Sequence, residues 1–103
     1  MHRLIEAKRP EIAALCRRHD VARLEVFGSA ARGDDFEPGR SDVDFLVEFA
    51  PEVKSRAFAT YFDFKEALEA LLGRPVDLVM PGAVENPYLR AGIERSRESV
   101  FAA

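Results

Sequence analysis

Three aspartates and a glycine-serine pair are the residues of this chain whose types and spacing could do chemistry. Asp42 and Asp44 stand two apart in "SDVDFLVEF", and Asp77 lies in "RPVDLVM" among Val76, Leu78 and Val79. On a strand, residues two apart leave by the same face. Asp42 and Asp44 then project side by side and repel one another. A shared proton, basic partners or metal ions would each relieve that repulsion. Hard divalent cations such as Mg²⁺ favour oxygen ligands and often use a few carboxylates together with substrate phosphates. A bare Asp-x-Asp is more often two solvated acids at a strand start, since exposed acids are common. Asp77 changes the balance, because an acid inside so apolar a run sits badly on a core face without a partner. By itself it is more often an edge-strand residue with its acid in water. If its strand lies beside "SDVDFLV" in one sheet, the three acids converge.

The second feature is "FGSAARG", residues 27–33. Gly28 ends an apolar run, and Ser29 is a natural N-cap for a short helical turn. Free backbone N–H groups at a helix start make an anion site. Glycine lets a phosphate approach the backbone closely, the serine hydroxyl adds a donor, and Arg32 adds a charged fork suited to phosphate. Alone, Gly-Ser describes any strand-to-helix turn. A phosphate cradle and three carboxylates on one small sheet form a coherent design, in which metals bridge carboxylates and phosphates for in-line displacement.

These residues need a scaffold, and the hydropathy pattern supplies one. In "HRLIEAKRPEIAALCRRH" the residues Leu4, Ile5, Ile12, Leu15 and Cys16 share a helical face, with the stem of Lys8 able to cover the stripe. Pro10 is expected to kink or restart that helix. "ARLEVFG" reads as a strand ending at Gly28. In "SDVDFLVEF", Val43, Phe45, Val47 and Phe49 share one face, and Asp42, Asp44, Leu46 and Glu48 the other. "SRAFATYFDFKEALEALLG" is a helix stopped by Gly73, and "RPVDLVM" a third strand. "ENPYLRAGIERS" is expected to be a last helix, with Asn86 as N-cap and Pro87 in its first position. "ESVFA" completes the pattern as an edge strand. This order predicts an α/β (α+β) structure: a small mixed sheet of three to four strands flanked by helices.

Composition bounds the function. The 103 residues fit one domain, with 48% apolar content and a net charge of -3 from 15 basic and 18 acidic side chains. That balance gives no broad attraction for nucleic acid or membrane surfaces. Cys16 is the sole cysteine, which leaves neither an internal disulfide nor a cysteine cluster for zinc; its place in the helical stripe makes it a core residue. No apolar segment approaches the roughly 20 residues of a membrane span. The opening "MHRLIEAKRPEI" lacks a signal-peptide core, so a cytoplasmic location is expected.

Together, "GSAARG", "SDVDFLV" and "PVDLV" resemble the DNA polymerase β-like nucleotidyltransferase superfamily. Its signature is Gly-Ser, a loop, Asp-x-Asp and a third acid on a later strand. Arg32-Gly33 after Gly28-Ser29, and Ser41 before Asp42, are similar to the minimal nucleotidyltransferase (MNT) group, often paired with HEPN-domain toxins. The likeness continues through "LLGRPVDLVMPGAVENPYLRAGIERS" and covers nearly the whole chain. The loop "AARGDDFEPGRS" is somewhat longer than in many relatives, and Asp34, Asp35 and Arg40 read as solvated loop charges.

The resemblance implies a polymerase β-like nucleotidyltransferase fold, with residues 1–103 as a single minimal domain, and transfer of AMP from ATP. It implies that Gly28 and Ser29 hold the β- and γ-phosphates, with Arg32 and Ser41 also on the nucleotide. Asp42 and Asp44 would bind two Mg²⁺ ions, and Asp77 would complete the site for one ion and help deprotonate the acceptor hydroxyl. The implied acceptor is a tyrosine of a HEPN toxin, silenced by the modification, with this chain as antitoxin. Larger relatives carry an added domain for nucleobase and acceptor. Little follows "PVDLV" here, so a partner is expected to supply part of the acceptor pocket, which favours a protein over a small molecule. Two other readings stay open: an inactive antitoxin that neutralises its toxin by binding alone, and a stand-alone nucleotidyltransferase on a small molecule or RNA end. The lack of a basic surface speaks against RNA.

Overall fold

Pro10 divides the N-terminal amphipathic stretch. Proline has no N–H to offer the carbonyl four residues back, and the helix stops and restarts around it. In the computed structural model, which describes residues 3–28, 43–81, 91 and 97–103, α1 spans Arg3–Ala7 and α2 spans Arg9–Arg18. Lys8 stands between them at φ -100°, ψ 5°, with Pro10 in the first turn of α2. The expected stripe faces inward on both pieces: Ile5, Ile12 and Cys16 are fully buried, while Leu4 and Leu15 pack at its margin.

Four strands and a longer helix are described after α2. β1 is Val21–Phe27, β2 is Val43–Phe49, a 3₁₀ turn occupies Pro51–Arg56, α3 is Ala57–Leu72 and β3 is Val76–Val79; β4, Glu98–Ala102, closes the chain. Gly73 ends α3 as expected. It adopts the left-handed conformation (φ 69°, ψ 29°) and donates its N–H to the carbonyl of Glu69. The helix expected over residues 85–96 lies outside the described residues, apart from Ala91, which is helical.

The sheet order is β3-β2-β1-β4. β1 runs antiparallel to both β2 and β4, whereas β2 and β3 are parallel. Parallel neighbours need a crossover connection, and the 3₁₀ turn with α3 supplies it. The result is a four-stranded mixed sheet, at the upper end of the expected strand count.

Period-two alternation sorts the strands into two faces. Leu24 and Val26 of β1, Val43, Phe45 and Val47 of β2, Val76 and Leu78 of β3, and Val100 of β4 meet α1, α2 and α3 in one core. Phe64 of α3 is fully buried there, edge-on to Phe49 at 6.0 Å and tilted against His19 at 5.6 Å. An irregularity in the β1–β2 pairing between Val21 and Arg23 lets Val21 and Leu24, three apart, both join this core. The described helices thus cover one face and leave the other to a smaller cluster of Phe27, Leu46 and Val79. Among the described residues, no helix is long and apolar enough to cross a membrane.

Cys16 reports on the integrity of this core. Burial pushes its thiol up from 9.0 to about 12, so the folded chain keeps a proton that the unfolded chain releases. Stability should therefore be unaffected below pH 9 by this group and should decline as pH rises from there toward about 12. At pH 8 the thiol should react with an aromatic disulfide reagent only as fast as the chain opens. Rapid stoichiometric labelling of the native protein would show that the α2–sheet interface is not closed.

Candidate active site

The register of two strand pairs builds the site. Across the antiparallel pair, Phe27 of β1 lies opposite Asp44 of β2. Across the parallel pair, Asp44 lies opposite Asp77 of β3. The three residues form one row across the sheet. Val43 and Phe45 point into the helix-covered core, as do Val76 and Leu78, so Asp44 and Asp77 leave by the other face. Adjacent strands lie about 5 Å apart, close enough for two carboxylates to share a cation. Asp44 is half-buried and Asp77 exposed. Asp77 thus stands on the outermost strand among those described, with its acid toward solvent, and it is level with Asp44.

Gly28 follows Phe27 at the end of β1, with φ at +74°. A Cβ placed there would lie 2.7 Å from Oδ2 of Asp44 and 3.7 Å from its Cγ. The glycine therefore does something the sequence did not disclose. Beyond any room it leaves for a phosphate, it makes room for the Asp44 carboxylate against the end of the neighbouring strand. Its dihedral is also one that residues with a Cβ seldom adopt.

Of the expected site residues, Gly28, Asp44 and Asp77 are described and are brought to one end of the sheet; Ser29, Arg32, Ser41 and Asp42 lie outside the described residues. Among the described residues, no three His, Cys, Asp or Glu side chains group to hold a metal. Asp44 and Asp77 nonetheless offer two hard oxygen donors from adjacent strands, which suits Mg²⁺ better than a soft transition metal.

The same face carries residues that the sequence did not single out. Phe27, Leu46 and Val79 form an apolar floor next to the acid row. Farther along β1, Glu25 receives the Arg97 guanidinium at 3.4 Å. Alternation alone would have placed Glu25 beside Phe27 on this face; nothing in the sequence pointed to Arg97 as its partner. A groove of about 700 Å³ lies toward the other end of β2, lined by Val47, Phe49, Pro51, Val53 and Met80 among others. Its described lining residues include neither Gly28, Asp44 nor Asp77.

A mixed sheet with a glycine-backed acid pair at one end of two neighbouring strands, β2 and β3, suits an enzyme of phosphoryl-group transfer. The nucleotidyltransferase domain family matches residues 12–100, and the chain belongs to that family. It is similar to the protein adenylyltransferase MntA of Thermococcus cleftensis, 42% identical over 86 residues, which are 82% of this chain and 77% of the relative. A Methanocaldococcus jannaschii protein assigned as a protein adenylyltransferase is 39% identical over 77 residues, 75% of this chain and 74% of its own. Among solved structures, a chain assigned as a minimal nucleotidyltransferase superposes with a TM-score of 0.73 at 38% identity, covering 95% of each chain. A toxin–antitoxin complex with AMP-PNP contains a chain with a TM-score of 0.67 at 20% identity, covering 92% of this chain and 73% of that one; that likeness is one of fold. The minimal-nucleotidyltransferase expectation holds in both fold and enzyme class.

The close approach at Gly28 makes a prediction. Gly28→Ala forces a side chain into the left-handed region, a cost of roughly 1–2 kcal/mol, and drives the new Cβ against Asp44. Urea unfolding should show that loss, and titration with Mn²⁺ should show weaker cation binding. An unaltered midpoint together with unaltered Mn²⁺ affinity would mean that Gly28 and Asp44 are not in contact.

Proposed function

We propose that this nucleotidyltransferase transfers AMP from ATP to a tyrosine hydroxyl of a HEPN-family toxin and thereby acts as its antitoxin, in the cytoplasm and with residues 1–103 as one minimal domain. The observation that carries the proposal is the register of β2 and β3, which sets Asp77 level with Asp44 beside Gly28. The relative from Thermococcus cleftensis, named a protein adenylyltransferase, supports a protein as acceptor. The toxin–antitoxin complexes that share the fold include a tri-AMPylated Shewanella oneidensis HEPN toxin with its MNT antitoxin, where the matched chain has a TM-score of 0.64 at 17% identity.

In this proposal Gly28 and Ser29 hold the β- and γ-phosphates, and Arg32 and Ser41 complete the nucleotide site. Asp42, Asp44 and Asp77 would hold two Mg²⁺ ions. Bound Mg²⁺ would neutralise charge on the triphosphate and stabilise the attacking and leaving oxygens. Asp77 sits on the exposed side of the acid row, where an incoming hydroxyl can reach it. Its carboxylate accepts the hydroxyl proton as the oxygen attacks the α-phosphorus; the bond to the β-phosphate oxygen breaks, and pyrophosphate leaves.

Two experiments test this. Asp42→Asn and Asp44→Asn keep side-chain shape and remove a ligand charge. Each should lower transfer by on the order of 10³-fold, since metal stabilisation is worth several kcal/mol, while thermal stability holds or rises because a like-charge pair is relieved. Near-wild-type transfer in either variant would remove the metals from these positions. Asp77→Asn separates binding from chemistry: AMP transfer to the toxin should fall by roughly 10²-fold or more, while ATP affinity with Mg²⁺ is preserved. If wild-type chain neutralises the toxin with no AMP transferred, antitoxin action by binding alone is the correct account. Transfer to a small molecule in the absence of any toxin would favour a stand-alone enzyme.

A further inference from the structure

The outer side of β3 is held by α3, and this has a bearing on the site. In a parallel pair, alternate residues direct their backbone groups toward the neighbouring strand and away from it. Val43 of β2 donates its N–H to the carbonyl of Pro75 at 3.1 Å, which turns the backbone groups of Pro75 and Asp77 toward β2 and those of Val76 and Leu78 outward. Two side chains of α3 meet those outward groups. The Glu69 carboxylate accepts the Val76 N–H at 3.0 Å, and the Tyr61 hydroxyl donates to the Leu78 carbonyl. Lys65, one turn before Glu69, lies 3.4 Å from the same carboxylate oxygen. Asp77 is the residue between the two that are gripped.

We propose that Glu69 is a positioning residue of the active site: through Val76, and with Tyr61 acting through Leu78, it fixes the register of β3 and so keeps Asp77 level with Asp44. This rests on the proposed role of Asp77. β3 is only four residues long and pairs with one strand among those described, so its ladder to β2 alone fixes it weakly. A slip by one residue would turn Asp77 to the helix-covered face. The Glu69 and Tyr61 bonds engage the backbone on either side of Asp77 and leave its side chain clear. The Glu69 carboxylate is held below the usual range chiefly by the Val76 N–H bond, in keeping with a contact made to the charged form.

The test uses two readouts on Glu69→Ala and Glu69→Gln. The first is amide hydrogen exchange of Val76, followed by NMR on the isolated chain, which needs neither ATP nor a partner. Glu69→Ala should speed it by about 10-fold, the equivalent of one ordinary hydrogen bond, with amides in the middle of α3 unchanged. The second is steady-state AMP transfer to the toxin. Misplacing one reacting group lowers kcat by roughly 10- to 100-fold, whereas KM for ATP should stay within about 2-fold because the nucleotide contacts lie elsewhere. Glu69→Gln keeps an oxygen that can accept the Val76 N–H and should restore both. Unchanged Val76 exchange in Glu69→Ala would overturn the clamp. Faster exchange with unchanged kcat would overturn its service to Asp77, and a Gln variant as impaired as Ala would overturn the hydrogen-bond account. If the wild-type chain transfers no AMP, the functional proposal falls, and Val76 exchange alone then upholds or overturns the clamp.

Discussion

The parallel pairing of β2 with β3 is the constraint on which the rest of this structure depends. Two strands that run in the same direction cannot be joined by a tight turn. The chain must leave β2 at Phe49, cross the sheet through the 3₁₀ turn and α3, and return at Val76. That crossover places Phe64, Leu68 and Leu72 on the sheet, where they are buried with the inward residues of the strands. It also sets which residue of β3 meets which residue of β2. One register gives both results: Val76 and Leu78 fall into the core, and Asp77 falls beside Asp44. The hydrophobic pattern that drives folding therefore also aligns the acids.

This arrangement sets two carboxylates on neighbouring strands of one face, which opposes folding. The opposing term is tolerable because the row lies at the end of the sheet, with Asp77 in solvent, and because burial on the helix-covered face is extensive. Gly28 contributes in the other direction, since the space where its side chain would be is taken by the Asp44 carboxylate. An apolar floor of Phe27, Leu46 and Val79 adjoins the row and gives the acids a firm base.

Much of this was legible in the sequence, for physical reasons that differ from element to element. The alternation in "SDVDFLVEF" assigned both faces of β2, and burial of Val43, Phe45 and Val47 agrees with it. The αL-prone Gly73 marked the end of α3, and Pro10 the break between α1 and α2. These are local signals, carried by side-chain period or backbone restriction. Register is not local. Convergence of Asp77 with Asp42 and Asp44 follows from the sequence only if the two strands are neighbours, and nothing within "RPVDLVM" names its partner. The contact between Gly28 and Asp44 was out of reach for the same reason: a glycine at a strand end predicts freedom of φ, not the identity of the side chain that takes its Cβ position. The pairing of Glu25 with Arg97 joins residues far apart in the chain and had no sequence signal. Ser29, Arg32, Ser41 and Asp42 belong to the same motif but lie outside the described residues, and the roles proposed for them come from the family resemblance.

An outer strand with unpaired N–H and C=O groups invites a further strand to join it, which is how many proteins aggregate and how others capture extended peptides. At β3 this route is obstructed. The outward N–H of Val76 and the outward carbonyl of Leu78 are already engaged by Glu69 and Tyr61, and α3 lies alongside. An extended segment approaching the acids from that side finds two of the outward groups already taken and α3 alongside. In the proposed reaction, a protein presenting a hydroxyl to Asp77 would therefore be recognised by contacts other than strand addition at β3, and the same two bonds make edge-to-edge association there less favourable.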